Sequence, residues 1–296
     1  MIKEGGWLID YLRMLRPQQW IKNLFLFAGL IFSRSFHQFS NIRTVLFAFG
    51  SFCLLSSGIY IINDLADYRA DSLHPIKSRR PIAAARVRRS TAAILAVLLI
   101  AISLLAAYFI GRWFFITALI YLVMMIIYSL KIKEVIILDV FFVAFGYVLR
   151  AVAGALAIRV EISSWLLLCT LLLALFLVIS KRRAEIVSLG PDASRHRKIL
   201  GQYNLGFLDQ MIAIVTSACI VSYCLYTLAP ETIAKFHTRN LIFSVPFVIY
   251  GLFRYLYLTF HGTRTDQPEK VVVTDPPILI CLILWIGTCV AILIKV

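Results

Sequence analysis

Nine long apolar stretches constrain the fold of this chain more than any other feature. Each has enough consecutive apolar residues to cross a lipid bilayer as a helix. In lipid the backbone must satisfy its own hydrogen bonds, and stretches of this length do so as α-helices. We therefore predict an all-α, polytopic membrane protein that forms a single domain over residues 1–296. The predicted spans are residues 20–37, 42–63, 91–110, 113–130, 136–158, 163–181, 207–229, 240–260 and 276–295.

The composition excludes an ordinary soluble domain. Hydrophobic residues make up 61% of the chain and the mean hydropathy is +0.87, whereas soluble domains are about half apolar. A formal net charge of +15 is also typical of proteins that bind nucleic acid. In a chain with this many spans, the charge instead indicates basic cytosolic loops that bind anionic lipid or phosphate. We expect no nucleic acid partner.

The distribution of Lys and Arg predicts how the chain crosses the membrane. Of these residues, 7 lie on one side and 22 lie on the other, in residues 1–22, 64–90, 131–133, 181–206 and 254–275. Because positive charge concentrates in cytosolic loops, we expect a cytosolic N-terminus and a C-terminus outside the cell membrane. Residues 1–19 would form an amphipathic helix at the interface before the first span.

An acidic cluster follows the second predicted span. Asp64, Asp67 and Asp71 are spaced i, i+3 and i+7, so a helix that continues past Asn63 would place all three carboxylates on one face. They would repel one another, and a divalent cation would relieve that repulsion. Mg²⁺ typically binds one or two carboxylates together with phosphate oxygens and waters. The cluster therefore predicts a Mg²⁺ site; the alternative is a solvated loop whose acids and bases neutralise one another.

Basic residues come directly after this cluster. Lys77, Arg79 and Arg80 follow Asp71 within one short segment. Lys and Arg bind phosphate oxygens directly, and Arg does so in bidentate geometry. Residues 64–90 therefore predict a cytosolic loop that binds a diphosphate and its Mg²⁺ at the membrane surface.

Four further polar residues lie at the same predicted surface. Lys22 and Asn23 enter the first span, while Tyr128 lies at the end of the fourth span and Lys131 directly follows it. They are candidates for substrate binding. For Lys22 the alternative is a side chain that extends to the lipid headgroups.

The fifth span contains two ionisable residues. Asp139 and Arg150 are eleven residues apart, about three helical turns, and so lie on nearly the same stripe. Ionisable groups inside a span are costly and usually face a cavity or a partner, so we expect both to contact substrate. An ion pair with another helix is the competing interpretation. Gly146 and Gly154 flank Arg150 at four-residue steps and would let another helix approach closely.

A second charged cluster follows the sixth span. It begins with the sequence KRRAE at Lys181, and we predict a cytosolic loop over residues 182–206. A simple i, i+4 pair between Lys181 and Glu185 is one interpretation. The other is substrate binding, for which the candidates are Lys181, Arg182, Glu185, Arg197 and Tyr203.

The motifs together resemble those of a known family. The first pattern is Asn63-Asp64-x-x-Asp67-x-x-x-Asp71, and the next is His74-Pro75-x-Lys77-x-x-Arg80-Pro81. On the segment after the second of nine spans, they resemble the UbiA superfamily of intramembrane prenyltransferases over essentially the whole chain. Its bacterial branch that transfers phosphoribose to decaprenyl phosphate is similar in two more motifs, Arg16-Pro17-x-Gln19-Trp20-x-Lys22-Asn23 and Lys181-Arg182-x-Ala184-Glu185.

The resemblance implies both a fold and a reaction. The fold would be a UbiA-like bundle of nine transmembrane helices with a central cavity open to the cytosolic side. The donor would be phosphoribosyl diphosphate, and the attacking group would be the phosphate of a polyprenyl phosphate. The product would be a precursor of cell-wall arabinan. Membrane lipids would be further partners, and the resemblance is compatible with a homo-oligomer.

The resemblance also implies roles for particular residues. Asp64, Asp67 and Lys22 would be catalytic, and Mg²⁺ would bind Asp64, Asp67 and Asp71. The substrates would contact Lys22, Asn23, Asn63, Lys77, Arg80, Tyr128, Lys131, Asp139, Arg150, Lys181, Arg182, Glu185, Arg197 and Tyr203.

This chain departs from ordinary members of the superfamily after the sixth span. There they carry a second aspartate-rich motif, whereas this chain has the basic run that begins at Lys181. A basic run fits a donor with more phosphate than a prenyl diphosphate. Two alternatives stay open: transfer of a prenyl group to an aromatic or quinol acceptor, and, more weakly, lipid transport. Matched pairs of broken helices, which are typical of transporters, are not evident.

Overall fold

The computed structural model describes residues 6–33, 37–73, 77–190, 193, 198–261, 270–271 and 274–294. Within this part of the chain, eight helices are long and apolar enough to cross a membrane. The prediction of an all-α, multi-pass membrane protein is confirmed. Contacts between residues divide the chain into two compact units, Met1–Phe142 with Leu149–Glu161, and Val143–Val148 with Ile162–Val296.

The first unit contains the N-terminal helices. They are α1 (Gly6–Leu15), a 3-10 segment (Pro17–Phe27), α2 (Ala28–Phe32), α3 (Phe39–Ala66), α4 (Tyr68–Ser72), α5 (Arg89–Ile110), α6 (Arg112–Leu130) and most of α7 (Leu138–Ala157). Short 3-10 turns occur at Lys77–Arg79 and Ile132–Glu134.

The long helix α3 forms the centre of the first unit. Its ring of Phe52 packs against Phe114 and Tyr121 of α6, with centroid distances of 5.6 and 5.4 Å. Its Ser51 hydroxyl donates to the Ser103 carbonyl of α5 over 3.0 Å. Small polar residues let α3 and α5 approach while every buried hydroxyl keeps a partner there. The result is a helix fixed along its length, whose C-terminal end carries the acidic cluster.

The first predicted span is not one continuous α-helix. Residues 17–27 form the 3-10 segment and only Ala28–Phe32 are α-helical. The 11 residues of the 3-10 segment rise about 22 Å, and the 5 residues of α2 add about 8 Å. This length is close to the ~30 Å of a hydrocarbon core, so fewer residues than usual can cover it.

Close backbone contact holds the 3-10 segment and α2 against α7. A Cβ atom added to Gly154 would lie 1.9 Å from the Leu26 carbonyl oxygen, and one added to Gly29 would lie 2.8 Å from Ala155 Cα. The predicted close approach at Gly154 is therefore present. The backbone that approaches Gly154 is that of Leu26, in the 3-10 segment. Only glycine leaves room for this approach, because it has no Cβ atom.

The second unit contains the C-terminal helices. They are the rest of α7, α8 (Ser164–Leu189), α9 (Leu205–Leu228), α10 (Pro230–Phe236), α11 (Val245–Phe260) and α12 (Pro276–Ile294). The Tyr223 hydroxyl lies 2.8 Å from the Ser244 hydroxyl and accepts from the Trp285 indole over 2.9 Å. These bonds satisfy polar groups inside an apolar core, where unpaired groups would be costly.

The predicted loop over residues 182–206 is wrong at its start. Helix α8 continues to Leu189, well beyond residue 181, where its apolar sequence ends. Arg, Ala and Glu are strong helix formers, so the helix persists after the hydrophobic residues stop. Helix α9 begins at Leu205, where the Asn204 side chain caps it by accepting from Phe207 N over 2.7 Å.

The close contact at Gly154 gives a stability prediction. Gly154→Ala should destabilise the folded protein by about 1–3 kcal/mol, because the new Cβ would force backbone apart from backbone. A thermal melting curve of the purified protein measures the effect. Gly50→Ala is the matched control, since a Cβ there meets nothing within 4 Å. Equal melting temperatures for the two variants would contradict the close packing.

Candidate active site

The acidic cluster lies where α3 gives way to α4. Asp67 is the cap between the two helices, and its amide donates to the Asn63 carbonyl over 2.9 Å. The Asp71 amide donates in turn to the Asp67 carbonyl over 2.8 Å. The chain thus follows a nearly helical path past Asn63, which is the condition under which the spacing would place the carboxylates on one face. Asp64 and Asp71 are both buried, with 4% of each residue exposed.

Arg80 joins two of the three carboxylates. Its Nη1 atom donates to Asp64 Oδ1 over 2.9 Å and to Asp71 Oδ2 over 2.5 Å. Two carboxylate oxygens from different turns therefore converge on one positively charged atom. Charge-assisted hydrogen bonds of this kind are roughly twice as strong as neutral ones. The spacing of the aspartates predicts the convergence, and the structure supplies the cation at its centre.

Arg16 also belongs to this cluster, although the sequence does not predict it as a site residue. Its guanidinium also bonds to Asp64 Oδ1 and lies 5.3 Å from the centre of the Tyr60 ring. Its backbone has φ 51°, in the left-handed region, which costs a non-glycine residue on the order of 1–2 kcal/mol. The ion pair with Asp64 offsets this cost. The sequence signal that could have indicated a role for Arg16 is its position in the Arg16-Pro17 motif, which is similar to that of the resembled family.

Lys133 is the second residue that the candidates lack. Its Nζ atom lies 2.5 Å from Asp67 Oδ1, so the turn after α6 contributes to the cluster. The sequence favours Lys131 instead, which is exposed in the structure. Lys133 lies in the 3-10 turn Ile132–Glu134, and Lys131 directly precedes that turn. The two lysine side chains therefore point in different directions.

Each carboxylate of the cluster has a positively charged partner. Asp64, Asp67 and Asp71 contact the three cations Arg16, Arg80 and Lys133. Burial raises the pKa of the Asp71 carboxyl, and the nearby Arg80 and Lys77 act in the opposite direction. The acids and bases neutralise one another, as in the alternative interpretation of the cluster as a solvated loop. They do so in a largely buried cluster, however, and not in a solvated loop.

The carboxylates can be tested as a metal site. Among the described residues, no group of three or more His, Cys, Asp or Glu side chains is arranged to hold a metal ion. Asp67 faces Lys133, so the predicted three-carboxylate set is not assembled. Asp64 and Asp71 nevertheless direct oxygens at one point, which Arg80 Nη1 occupies. Two carboxylates around one cation match what Mg²⁺ typically takes from a protein.

Asn23 and Arg150 form a polar network inside the first unit. Arg150 Nε donates to Asn23 Oδ1 over 2.8 Å, and its Nη2 donates to the Tyr121 hydroxyl over 2.6 Å. Asn23 Nδ2 donates to the Ser56 hydroxyl over 3.2 Å. The network ties the 3-10 segment to α3, α6 and α7; its bonds from Arg150 go to neutral groups and are not the ion pair of the competing interpretation. Direct contact of Asn23 or Arg150 with substrate stays a prediction.

The other predicted residues of the first unit differ in exposure. Asp139 is fully buried in the first turn of α7. The half-buried candidates are Lys22, Asn63, Lys77 and Tyr128. Their roles in binding substrate stay predictions.

The second unit carries the basic run of α8. Arg182 is buried and donates from Nη1 to Glu185 Oε2 over 2.8 Å, while Lys181 Nζ lies 4.0 Å from Glu185 Oε1. The i, i+3 contact of Arg182 is thus closer than the expected i, i+4 pair. Tyr203 is buried and stacks on Phe207 at 6.4 Å. Arg197 lies outside the described residues.

Arg183, which was not among the candidates, has a structural role in this unit. Its Nε donates to Asp209 Oδ1 over 2.6 Å, and its Nη1 donates to the Thr259 carbonyl over 3.1 Å. These bonds join the end of α8 to α9 and α11. Neighbouring residues of the basic run therefore contact different partners, because successive residues of a helix point in different directions.

The fold and the cluster define a class: a multi-pass helical membrane protein with buried carboxylates and basic residues at the end of a spanning helix. Residues 23–271 match the model of the UbiA prenyltransferase family. The chain belongs to this family. This confirms the family resemblance that the motifs predicted.

Two curated relatives and one solved structure are similar along most of the chain. A "Decaprenyl-phosphate phosphoribosyltransferase" of Mycolicibacterium smegmatis is 31% identical, over 94% of this chain and 90% of that protein. Another of the same name, from Corynebacterium glutamicum, is 30% identical over 93% and 84%. The structure of a UbiA homolog from Archaeoglobus fulgidus bound to GPP and Mg²⁺ has a TM-score of 0.72 at 19% identity, covering 96% of this chain and 99% of that one. This likeness shows the fold.

The position of Arg80 gives a prediction about stability and metal. Arg80→Gln should lower the melting temperature, because two buried carboxylates lose their shared cation; a hydrogen bond to a charged group contributes about 1.5–3 kcal/mol. Millimolar Mg²⁺ should restore stability to this variant more than to the unaltered protein. Thermal melting with and without Mg²⁺ measures both effects.

Arg79→Gln is the control for this experiment. It removes the same charge from the neighbouring residue, whose side chain contacts no carboxylate in the described part of the chain. An Arg80→Gln protein that melts like Arg79→Gln, with or without Mg²⁺, would show that the cluster does not depend on Arg80.

Proposed function

We propose that the protein transfers 5-phosphoribose from phosphoribosyl diphosphate to a polyprenyl phosphate, with Mg²⁺ as cofactor. The products would be polyprenylphosphoryl-5-phosphoribose and diphosphate. The convergence of Asp64 and Asp71 on one cation, with further basic residues beside them, carries the proposal. The two relatives named decaprenyl-phosphate phosphoribosyltransferase support the choice of substrates. By the same resemblance, the lipid product would serve synthesis of cell-wall arabinan.

The proposed reaction makes modest demands on the protein. A phosphate oxygen of the lipid forms a bond to the anomeric carbon of the ribose, and the bond from that carbon to the diphosphate breaks. The electron pair of the broken bond leaves with the diphosphate. Because the attacking phosphate is already an anion, no strong general base is required. Catalysis then depends on holding two anionic substrates together and stabilising the charge of the leaving group.

The cluster has groups for each of these tasks. Asp64 and Asp71 would hold Mg²⁺, which when bound neutralises charge on the diphosphate. Arg16, Arg80 and Lys133 supply ammonium and guanidinium groups that bind phosphate oxygens directly. Asp67 holds Lys133 at the cluster through their 2.5 Å ion pair. Lys22 follows Arg16 on the 3-10 segment and is a further phosphate ligand in this proposal.

The membrane setting suits a lipid acceptor. Helix α3 is long and apolar enough to span, and the cluster lies at its end. The polyprenyl tail can stay in the bilayer while its phosphate reaches the surface. We infer from the distribution of Lys and Arg that this surface is cytosolic and that the membrane is the cell membrane. A soluble, charged sugar diphosphate is then available on the correct side.

A prenyl transfer reaction is the second candidate. It is favoured by the solved Archaeoglobus fulgidus homolog bound to GPP and Mg²⁺, a prenyl diphosphate with its metal. In that case the prenyl chain would arrive on the departing diphosphate, and an aromatic or quinol acceptor would attack. The basic run at Lys181 favours the phosphoribosyl donor, since Lys and Arg bind phosphate without a metal.

A substrate comparison tests the proposal. Purified protein in detergent or nanodiscs is supplied with Mg²⁺ and either phosphoribosyl diphosphate with decaprenyl phosphate, or geranyl diphosphate with an aromatic acid. Mass spectrometry of the lipid products should show phosphoribosyl transfer in the first mixture. Prenyl transfer in the second mixture, with no product in the first, would refute the proposal and support the second candidate.

The same assay tests the carboxylates. Asp64→Asn should reduce turnover by at least about a hundredfold, because the amide keeps the size of the side chain but brings no charge to Mg²⁺. Glu231→Gln, which neutralises an exposed carboxylate in the second unit, is the control and should retain turnover. Near-normal turnover of Asp64→Asn at saturating Mg²⁺ would exclude Asp64 as a metal ligand.

A further inference from the structure

A second set of basic residues lines a surface cleft of about 690 Å³ in the first unit. We call it the arginine cleft. Helix α1 contributes one of its residues, and the turns between α4 and α5 contribute the others. The lining residues are Arg13, Ser78, Arg79, Ala84 and Arg86.

The arginine cleft carries excess positive charge. Arg86 Nη1 lies 3.2 Å from Asp10 Oδ1, and Arg13 Nη1 lies 3.8 Å from the same oxygen. Arg79 is exposed and, within the described part of the chain, contacts no carboxylate. The cleft thus has three guanidinium groups, and two of them share one carboxylate, Asp10. An anion with two negative charges, or two anions, would complete the balance.

The charges of the arginine cleft are separate from those of the acidic cluster. Arg80 contacts Asp64 and Asp71, whereas its neighbour Arg79 lines the cleft. Arg86 Nη2 donates to the Arg79 carbonyl over 2.6 Å, which fixes the turn between them. The cleft is thus a preformed group of donors that the proposed reaction does not use.

The position of α1 places the arginine cleft at the membrane surface. Met14 of α1 is buried in one apolar cluster with Ile61 of α3 and Ala92 of α5. Ile61 lies near the end of α3 and Ala92 near the start of α5, two helices that can span the membrane. Helix α1 and the turns that connect α3 to α5 therefore lie where these spans leave the bilayer, whichever side that is.

An exposed apolar edge lies beside the cleft on α1. Leu8, Ile9 and Leu12 are 54%, 49% and 50% exposed, and Leu12 directly precedes Arg13. Helices with such a face and basic residues at its edge lie in the membrane interface. A ligand that matches both features has an anionic head and apolar chains. A soluble phosphate compound would satisfy the arginines and leave the apolar edge uncovered.

We propose that the arginine cleft binds the phosphate headgroup of an anionic phospholipid of the surrounding bilayer. The headgroup phosphate contacts Arg13, Arg79 and Arg86, and the acyl chains pass along Leu8, Ile9 and Leu12. Arg is suited to this role because its planar donors match phosphate oxygens. The proposal holds whichever of the two transfer reactions the protein performs.

Lipid competition in nanodiscs tests the proposal. Nanodiscs that contain phosphatidylglycerol and phosphatidylcholine are loaded with the full chain, and native mass spectrometry counts the lipids it retains. Arg13→Gln and Arg79→Gln should each reduce the preference for phosphatidylglycerol about tenfold, the effect of losing one direct hydrogen bond to a charged phosphate. Arg13→Gln alters only an exposed side chain with a 3.8 Å contact, so its fold should be unaffected. Melting curves check this for both variants.

Arg88→Gln is the matched control. It removes the same charge from the same connection, but this exposed residue does not line the cleft. An equal loss of phosphatidylglycerol in Arg88→Gln would overturn the proposal, since general surface charge would then explain the preference. It would also be overturned if Arg79→Gln left lipid preference intact and weakened binding of inorganic phosphate, measured by calorimetry. That result would assign the cleft to a soluble phosphate compound.

Discussion

The contact of Arg80 with both Asp64 and Asp71 is the interaction on which the rest of the site depends. Two buried carboxylates seven residues apart, about two helical turns, would repel one another strongly in a poorly hydrated site. The Arg80 guanidinium, together with Arg16 at Asp64, offsets that repulsion and joins the end of α3, α4 and the turn after them. Any cofactor or substrate that uses these carboxylates must replace the charge of Arg80. The same contact that stabilises the protein therefore defines where a cation can bind.

A second network inside the membrane-spanning part supports the first. Arg150 bonds to Asn23, and Gly154 lets the backbone of Leu26 approach α7. Both contacts fix the 3-10 segment, which begins at Pro17 directly after Arg16. Because Arg16 reaches Asp64, the packing of α7 is linked physically to the acidic cluster.

The sequence predicts the regular parts of this structure and fails where the backbone is irregular. Hydropathy alone indicates the all-α class and α3, and helical spacing indicates that Asp64 and Asp71 converge. The sequence does not predict Arg16 and Lys133 as site residues. The left-handed backbone of Arg16 and the 3-10 turn at Lys133 set the directions of these side chains, and neither feature produces a periodic pattern in the sequence. The predicted end of α8 is too early, because the apolar residues end near residue 181 while the residues that follow still favour a helix, which continues to Leu189. Hydropathy predicts an ordinary helix for the first span, because apolar content carries no signal for the 3-10 geometry of residues 17–27.

The most direct test of the central claim is a structure determined with Mn²⁺ in place of Mg²⁺. Anomalous scattering locates Mn²⁺ without ambiguity, and the same map shows the side chain of Arg80. The account predicts a peak in contact with Asp64 and Asp71, with the Arg80 guanidinium displaced from at least one of the two carboxylates. A structure at saturating Mn²⁺ in which Arg80 still bridges both carboxylates, and the peak lies elsewhere, would contradict it.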